Sequence, residues 1–190
     1  MRYFWILLAI CLAPGQAVSS EDTTSFTSDN TAFYEGEKLT YVVYPPGDFK
    51  MVIDEASDEG YSFAFIPPEA EYGSAEVLVG VNIYKIRGMS FDDALTRDTA
   101  GLREHYGEDV LILPVDSVFS GSGEVIPTFY IDDKKAFIPN VMISYYDGVS
   151  EMLIFELVIS PTALRFKAEE VFVDCLERFK ALPIGDLGYE

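Results

Sequence analysis

The chain has 190 residues, with 13 Lys and Arg against 32 Asp and Glu, a net charge of −19, and a composition that is 49% hydrophobic and 14% aromatic. That apolar content excludes a disordered chain, because enough side chain is available to bury. The charge repels phosphate backbones and anionic lipid, which excludes nucleic acid and membrane surfaces as partners and leaves cationic proteins and divalent cations, beside the plainer reading that it keeps an exported protein in solution.

The first stretch, MRYFWILLAICLAPGQAVSSED, has one positive charge at Arg2 and an unbroken apolar run of 11 residues from Tyr3 to Ala13. A membrane-spanning helix needs roughly 20 apolar residues, so this run has the length of a signal-peptide core instead. Pro14 and Gly15 break it, and Ala17 and Ser19 supply small residues for cleavage. Residues 1–19 are therefore expected to be a signal peptide cut after Ser19, with Ala17 as the other acceptable site. Cys11 lies inside the apolar run, and Ile10 precedes it where a lipid-anchor site needs a small residue, so it is expected to be discarded unlipidated. Cleavage leaves residues 20–190, about 171, within the range of one domain. Losing Arg2 leaves 12 basic against 32 acidic residues, a net charge of −20. Cys175 is then the one cysteine, so no intramolecular disulfide can form, and no Asn-x-Ser/Thr acceptor occurs. These features suit a bacterial periplasmic or secreted protein.

Residues 20–33, beginning SEDTTSFTSDNTA, are rich in Ser, Thr and Asp and are expected to be a flexible leader, with a single ordered domain over 34–190. KLTYVVY is a strand ending at Pro45-Pro46-Gly47, and FKMVI is another, with Phe49, Met51 and Ile53 on one face. DEASDEG is a polar turn. YSFAFI places Tyr61, Phe63 and Phe65 together before Pro67-Pro68 stops it. EVLVGVNIYKI turns Val77, Val79, Val81 and Ile83 one way and Gly80, Asn82 and Tyr84 the other. The period then changes. Phe91, Leu95, Leu102 and Tyr106 recur at helical intervals, Ser90 and Asp93 have capping-box spacing, and Gly107 supplies a stop, which predicts a helix over 91–106.

VLILPVDSVF is the next strand, followed by a Gly121-Ser122-Gly123 turn and EVIPTFYI, with Val125, Phe129 and Ile131 on one face and a DDKK turn after it. AFIPNVMISYY and MLIFELVI flank Asp147-Gly148, a hairpin signal. Leu153, Phe155, Leu157 and Ile159 form an apolar face, with Glu156 on the other side. The closing KAEEVFVDCLERFKAL carries Ala168, Val171, Phe172, Cys175, Leu176, Phe179 and Leu182 on one stripe of an amphipathic helix, against Glu169, Glu170, Asp174, Glu177 and Arg178. The expected class is α+β, a mainly antiparallel sheet of about six to seven strands with two helices packed on it.

VVYPPGDFKMVI near the start, the helix after VLVGVNIYKI, and the closing MLIFELVIS followed by AEEVFVDCLERF resemble the PsbP-like fold. That fold is shared by an extrinsic subunit of the plant photosystem II, a small Ran-binding nuclear import factor and many bacterial exported proteins. The resemblance covers about residues 39–182, lies in layout more than in specific motif, and carries no catalytic residue across. It implies a protein that binds or stabilises partners.

Chemistry is sparse. His105, the one histidine, ends the first helix, where a cation interacts well with the helix C-terminus. No G-x-S-x-G elbow is present, and Cys175 sits on the apolar stripe, a place for a packing thiol rather than a partner to His105. One His and one mature Cys make no zinc site. Acidic loops at Asp54, Glu55, Asp58 and Glu59, and at Glu69 and Glu71, are solvated turns or weak cation sites; Asp54, Asp58 and Glu59 are the metal candidates, although Ala56 and Glu59 break the EF-hand pattern. No phosphate loop occurs. Tyr145, Tyr146 and Asp147 end a strand beside a hairpin, as packing residues or as a binding patch. The sequence reads as an exported acidic binding or structural protein with a protein partner, no cofactor and no catalytic set. The alternative is a carboxylate-dependent hydrolase of the cell envelope.

Overall fold

The computed structural model describes residues 24–26, 31–132, 141–160 and 163–184. The expected signal peptide with Cys11 lies outside the described residues, as do the DDKK turn past Asp132 and the AFIPN start of the following strand.

In chain order the strands are β1 Thr24–Phe26, β2 Ala32–Glu35, β3 Leu39–Val43, β4 Lys50–Val52, β5 Phe63–Ile66, β6 Val77–Lys85, β7 Leu111–Pro114, β8 Val118–Phe119, β9 Val125–Ile126, β10 Thr128–Asp132, β11 Val141–Asp147, β12 Glu151–Ile159 and β13 Lys180–Pro183. The helices are α1 Asp54–Asp58, α2 Phe91–Tyr106 and α3 Arg165–Arg178. One antiparallel seven-stranded sheet, in the order β4-β5-β6-β12-β11-β10-β7, organises the molecule. A second sheet runs β1-β2-β3-β13, and β8 pairs with β9 alone. This is the expected α+β class with a mainly antiparallel sheet.

The centre is β6 against β12, paired from Glu151↔Lys85 to Ile159↔Val77. Alternation sends Leu153, Phe155, Leu157 and Ile159 to one face, where Phe172, Cys175 and Leu176 of α3 and Tyr34 and Tyr41 of the smaller sheet cover them. Met152 and Ile154 point the other way, against Ala94 and Leu102 of α2. Near α1 a third cluster gathers Ala56, Tyr61, Ala64, Ile66, Ala75 and Leu78. The sheet is thus buried on both faces, and each fully buried Phe or Leu in it contributes about 1.5–3 kcal/mol.

Helix α2 has the limits its local signals dictate. The Ser90 hydroxyl accepts from Asp93 N at 3.1 Å and donates to Asp93 Oδ2 at 2.6 Å. Gly107, at φ 97°, closes the other end by donating to Arg103 O.

Elsewhere tertiary packing overrides the local pattern. DEASDEG is helical at α1, because Ala56 is fully buried and Asp54 and Glu55 suit a helix N-terminus. It adds a third helix to the two expected. The closing helix stops at Arg178 rather than running on to Leu182. Phe179 is extended, with its ring 4.8 Å from Tyr146, 5.2 Å from Phe155 and 6.4 Å from Tyr41, and β13 then pairs with β3. Pro127 splits EVIPTFYI into β9 and β10, since it has no N–H to give; its carbonyl still accepts from Tyr145 N at 3.0 Å. VLILPVDSVF likewise breaks after Pro114. The expected start of order near Tyr34 falls inside β2, whose Ala32 is already buried and whose partner β1 lies within the expected leader.

Candidate functional site

The polar interior of the molecule lies between the seven-stranded sheet and its α1–α2 side. Glu156 on β12 pairs across the ladder with Gly80 on β6. Gly80 leaves room for the Tyr61 ring; an added methyl would stand 2.8 Å from Tyr61 Cζ and overlap the ring. The Tyr61 hydroxyl thereby reaches Glu156 and donates to its Oε2 at 2.9 Å. A second pair stands beside it, Tyr145 of β11 donating to Asp98 Oδ2 of α2 at 2.5 Å. Glu156 is 1% exposed and Asp98 is 2% exposed. The other carboxylate oxygen of each, Glu156 Oε1 and Asp98 Oδ1, has no partner among the described residues.

Burial disfavours the ionised form of both acids. It pushes Glu156 up to about 8, partly opposed by the Tyr61 hydrogen bond and assisted by the charge of Asp98. Asp98 is pushed up to about 6, against the lowering effect of the Tyr145 bond. Burial, followed by the charges of these acids, also raises Tyr61, Tyr84 and Tyr145. Perturbed acids of this kind mark active sites when they line a cleft. Here both carboxyls are buried, at 1% and 2% exposure, Asp98 on α2 and Glu156 beside the Tyr61 ring.

A further buried acid has a structural partner set. Glu151 Oε1 accepts from Glu37 N at 3.0 Å, and its Oε2 accepts from Tyr41 OH at 3.0 Å. Tyr41 OH also lies 3.1 Å from Gly148 O. Glu151 thus ties the turn before β3 to the β11–β12 hairpin.

The residues singled out by sequence do not converge. Tyr145 faces α2, whereas Tyr146 faces the opposite core, where it packs on Phe179 and bonds Glu124. Asp147 is exposed, and its Oδ1 accepts from Val149 N at 2.8 Å in the hairpin turn. Asp54 and Asp58 are exposed on α1, while Glu59 accepts from Tyr72 OH at 3.0 Å. Among the described residues no group of three or more His, Cys, Asp or Glu gathers where it could hold a metal. His105 lies in the last turn of α2, and its side chain is outside the described residues. Cys175 is fully buried, with Sγ 3.7 Å from Tyr44 O, and burial pushes its thiol up to about 12.

Sequence reasoning passed over Glu156, Asp98 and Tyr61 as members of one network. One signal was available. Asp98 lies four residues after Ala94 and four before Leu102, so it interrupts the apolar stripe of α2 from within.

No family model matches the sequence, and no curated protein matches it. Among solved structures the chain is similar to the solution structure of cyanobacterial PsbP (CyanoP) from Synechocystis sp. PCC 6803, at 11% sequence identity and a TM-score of 0.49, with 83% of this chain and 91% of that chain covered. At that identity the likeness transfers no residue role to this chain.

Proposed function

We propose that the protein is an exported, acidic binding or structural protein of the bacterial periplasm or exterior, acting on a protein partner and without a catalytic centre. The observation that carries this reading is the placement of its reactive groups. Cys175, Glu156 and Asp98, the thiol and the two acids that burial raises, are each 2% exposed or less. What faces solvent is a strongly acidic surface, from a chain of net charge −19. Such a surface favours cationic proteins and speeds their encounter. The signal-like run Tyr3–Ala13 supports export, and among the described residues no helix is long and apolar enough to cross a membrane.

Two measurements test this. Intact mass of the protein from its native host should give a chain starting near Ser20 and free of acyl groups; a retained, acylated Cys11 would overturn the export route. Affinity capture from the native cell envelope should retain a basic protein that salt releases. Glycosidase turnover by the purified chain would instead favour the carboxylate-dependent hydrolase.

A further inference from the structure

The β8–β9 hairpin breaks the rule that a ribbon lying on a core shows polar side chains to water. Its inner face is Val118 and Ile126, 8% and 1% exposed. Its outer face is also apolar: Phe119 and Val125 are directly paired across the ladder, and they are 52% and 57% exposed. The ribbon is rigidly held. Ser120 Oγ accepts from Glu124 N at 3.1 Å and donates to Glu124 Oε2 at 2.6 Å. Gly121 N donates to Phe179 O at 2.8 Å, and Ser122 Oγ accepts from Ala181 N at 3.3 Å. A fixed aromatic–aliphatic pair of this kind binds at little cost in ordering entropy.

Acidic side chains flank its outer face. Asp116 precedes the hairpin, Glu124 flanks Val125, and all three of Asp116, Glu124 and Asp147 are exposed. Asp147 comes close because β9 lies against β11. None of the three has an ion-pair partner among the described residues. Arg178 and Lys180, on either side of the Phe179 carbonyl that Gly121 bonds, lie over the Tyr44 ring at 5.6 and 5.8 Å. A second copy would bring the same acids and a charge of −19 against them.

Resting on the binding role proposed above, we infer that the Phe119–Val125 face docks a protein segment that presents an apolar side chain framed by Lys or Arg. A phage-displayed peptide library panned on the immobilised protein supplies the probe. Enriched peptides should share an aromatic or aliphatic residue with basic residues beside it. The best of them, measured by fluorescence anisotropy, should bind at least about tenfold more weakly to the Phe119→Ser/Val125→Ser variant, the loss of a central anchor. They should also weaken with Asp116→Asn and with added salt. Both outward positions lie off the core, so a thermal melt should show the double variant folded. Peptides that bind the double variant equally well would overturn the docking face and leave the binding role standing. A library from which nothing is retained would overturn both. Wild-type dimers, lost in the double variant by sedimentation equilibrium, would overturn the cationic partner in favour of a second copy.

Discussion

Glu156→Gln tests the buried acid directly. A carboxyl raised from 4.5 to about 8 on folding stays protonated in the native chain at neutral pH, while the unfolded chain has already released that proton. The native state then binds more protons than the unfolded state, so stability falls as pH rises. The contribution is intact below pH 4.5, declines by about 1.4 kcal/mol per pH unit, and levels off above pH 8. At pH 7 the difference of 2.5 between 7 and 4.5 corresponds to a cost of about 3 kcal/mol. Asp98, raised from 3.8 to about 6, adds a second decline of the same sign at lower pH. Glutamine retains an acceptor for Tyr61 but cannot ionise, and its amide N–H leaves a donor to satisfy, which offsets part of the gain. The variant should therefore be more stable than wild type at pH 7 by about 1–3 kcal/mol. Its stability should stay flat from pH 6 to 8 while the Asp98 decline persists below. Urea unfolding followed by circular dichroism across pH 5 to 8 reads this as a shift of midpoint at constant slope. A variant that keeps the wild-type decline between pH 6 and 8, or that unfolds at lower urea at pH 7, would refute the assignment.

Gly80→Ala should destabilise by about 2–3 kcal/mol, because its methyl overlaps the Tyr61 ring. Urea titration of Gly80→Ala, Tyr61→Ala and the double variant should show less than additive costs, since the second change relieves the first. Cys175 should react with thiol reagents only after urea unfolding. Cys175→Ala should cost about 1–2 kcal/mol as a small core truncation, and Cys175→Asp far more. Equal labelling rates for folded and unfolded protein would show the thiol at the surface. Ser90→Ala removes the cap on α2 and should cost about 1 kcal/mol in a thermal melt, with no change in the packing of Ala94 or Leu102.

Helix α2 was legible end to end because every signal that bounds it is local: Ser90, Asp93 and Gly107 each act within one turn. The faces of β6 and β12 were legible for the same reason, since alternation is a property of the strand itself. The end of α3 was not. Phe179 and Leu182 continue the helical spacing, and only β3, distant in sequence, converts 180–183 into a strand. Asp98 and Glu156 could be seen as polar positions, but alternation cannot say whether a second face is wet or covered by α2. Tyr145 and Tyr146 are adjacent in sequence, but consecutive strand residues point to opposite faces, so the two rings lie in different cores.

The two faces of the sheet solve the packing problem differently. On the α3 side the core contacts are largely aromatic, with Phe63, Phe155, Phe172 and Phe179 all fully buried. Packing among such rings is joined at the helix edge by Asp174 accepting from Gly47 N at 3.1 Å and Arg178 donating to Pro45 O at 2.7 Å. On the α2 side Ala94 and Leu102 are buried, and Phe91, Leu95 and Tyr106 of the same helix pack beside them. There the directional groups are Tyr145 bonded to Asp98 in mid-helix and Tyr61 bonded to Glu156 in mid-strand. Displacing α2 along the sheet would take Asp98 from the Tyr145 hydroxyl and leave a buried carboxyl without a bond, which is costly. The buried acids lower the stability of the correct arrangement at neutral pH, yet they lower that of the displaced one further. Specificity of packing is a role that their directional hydrogen bonds can fill.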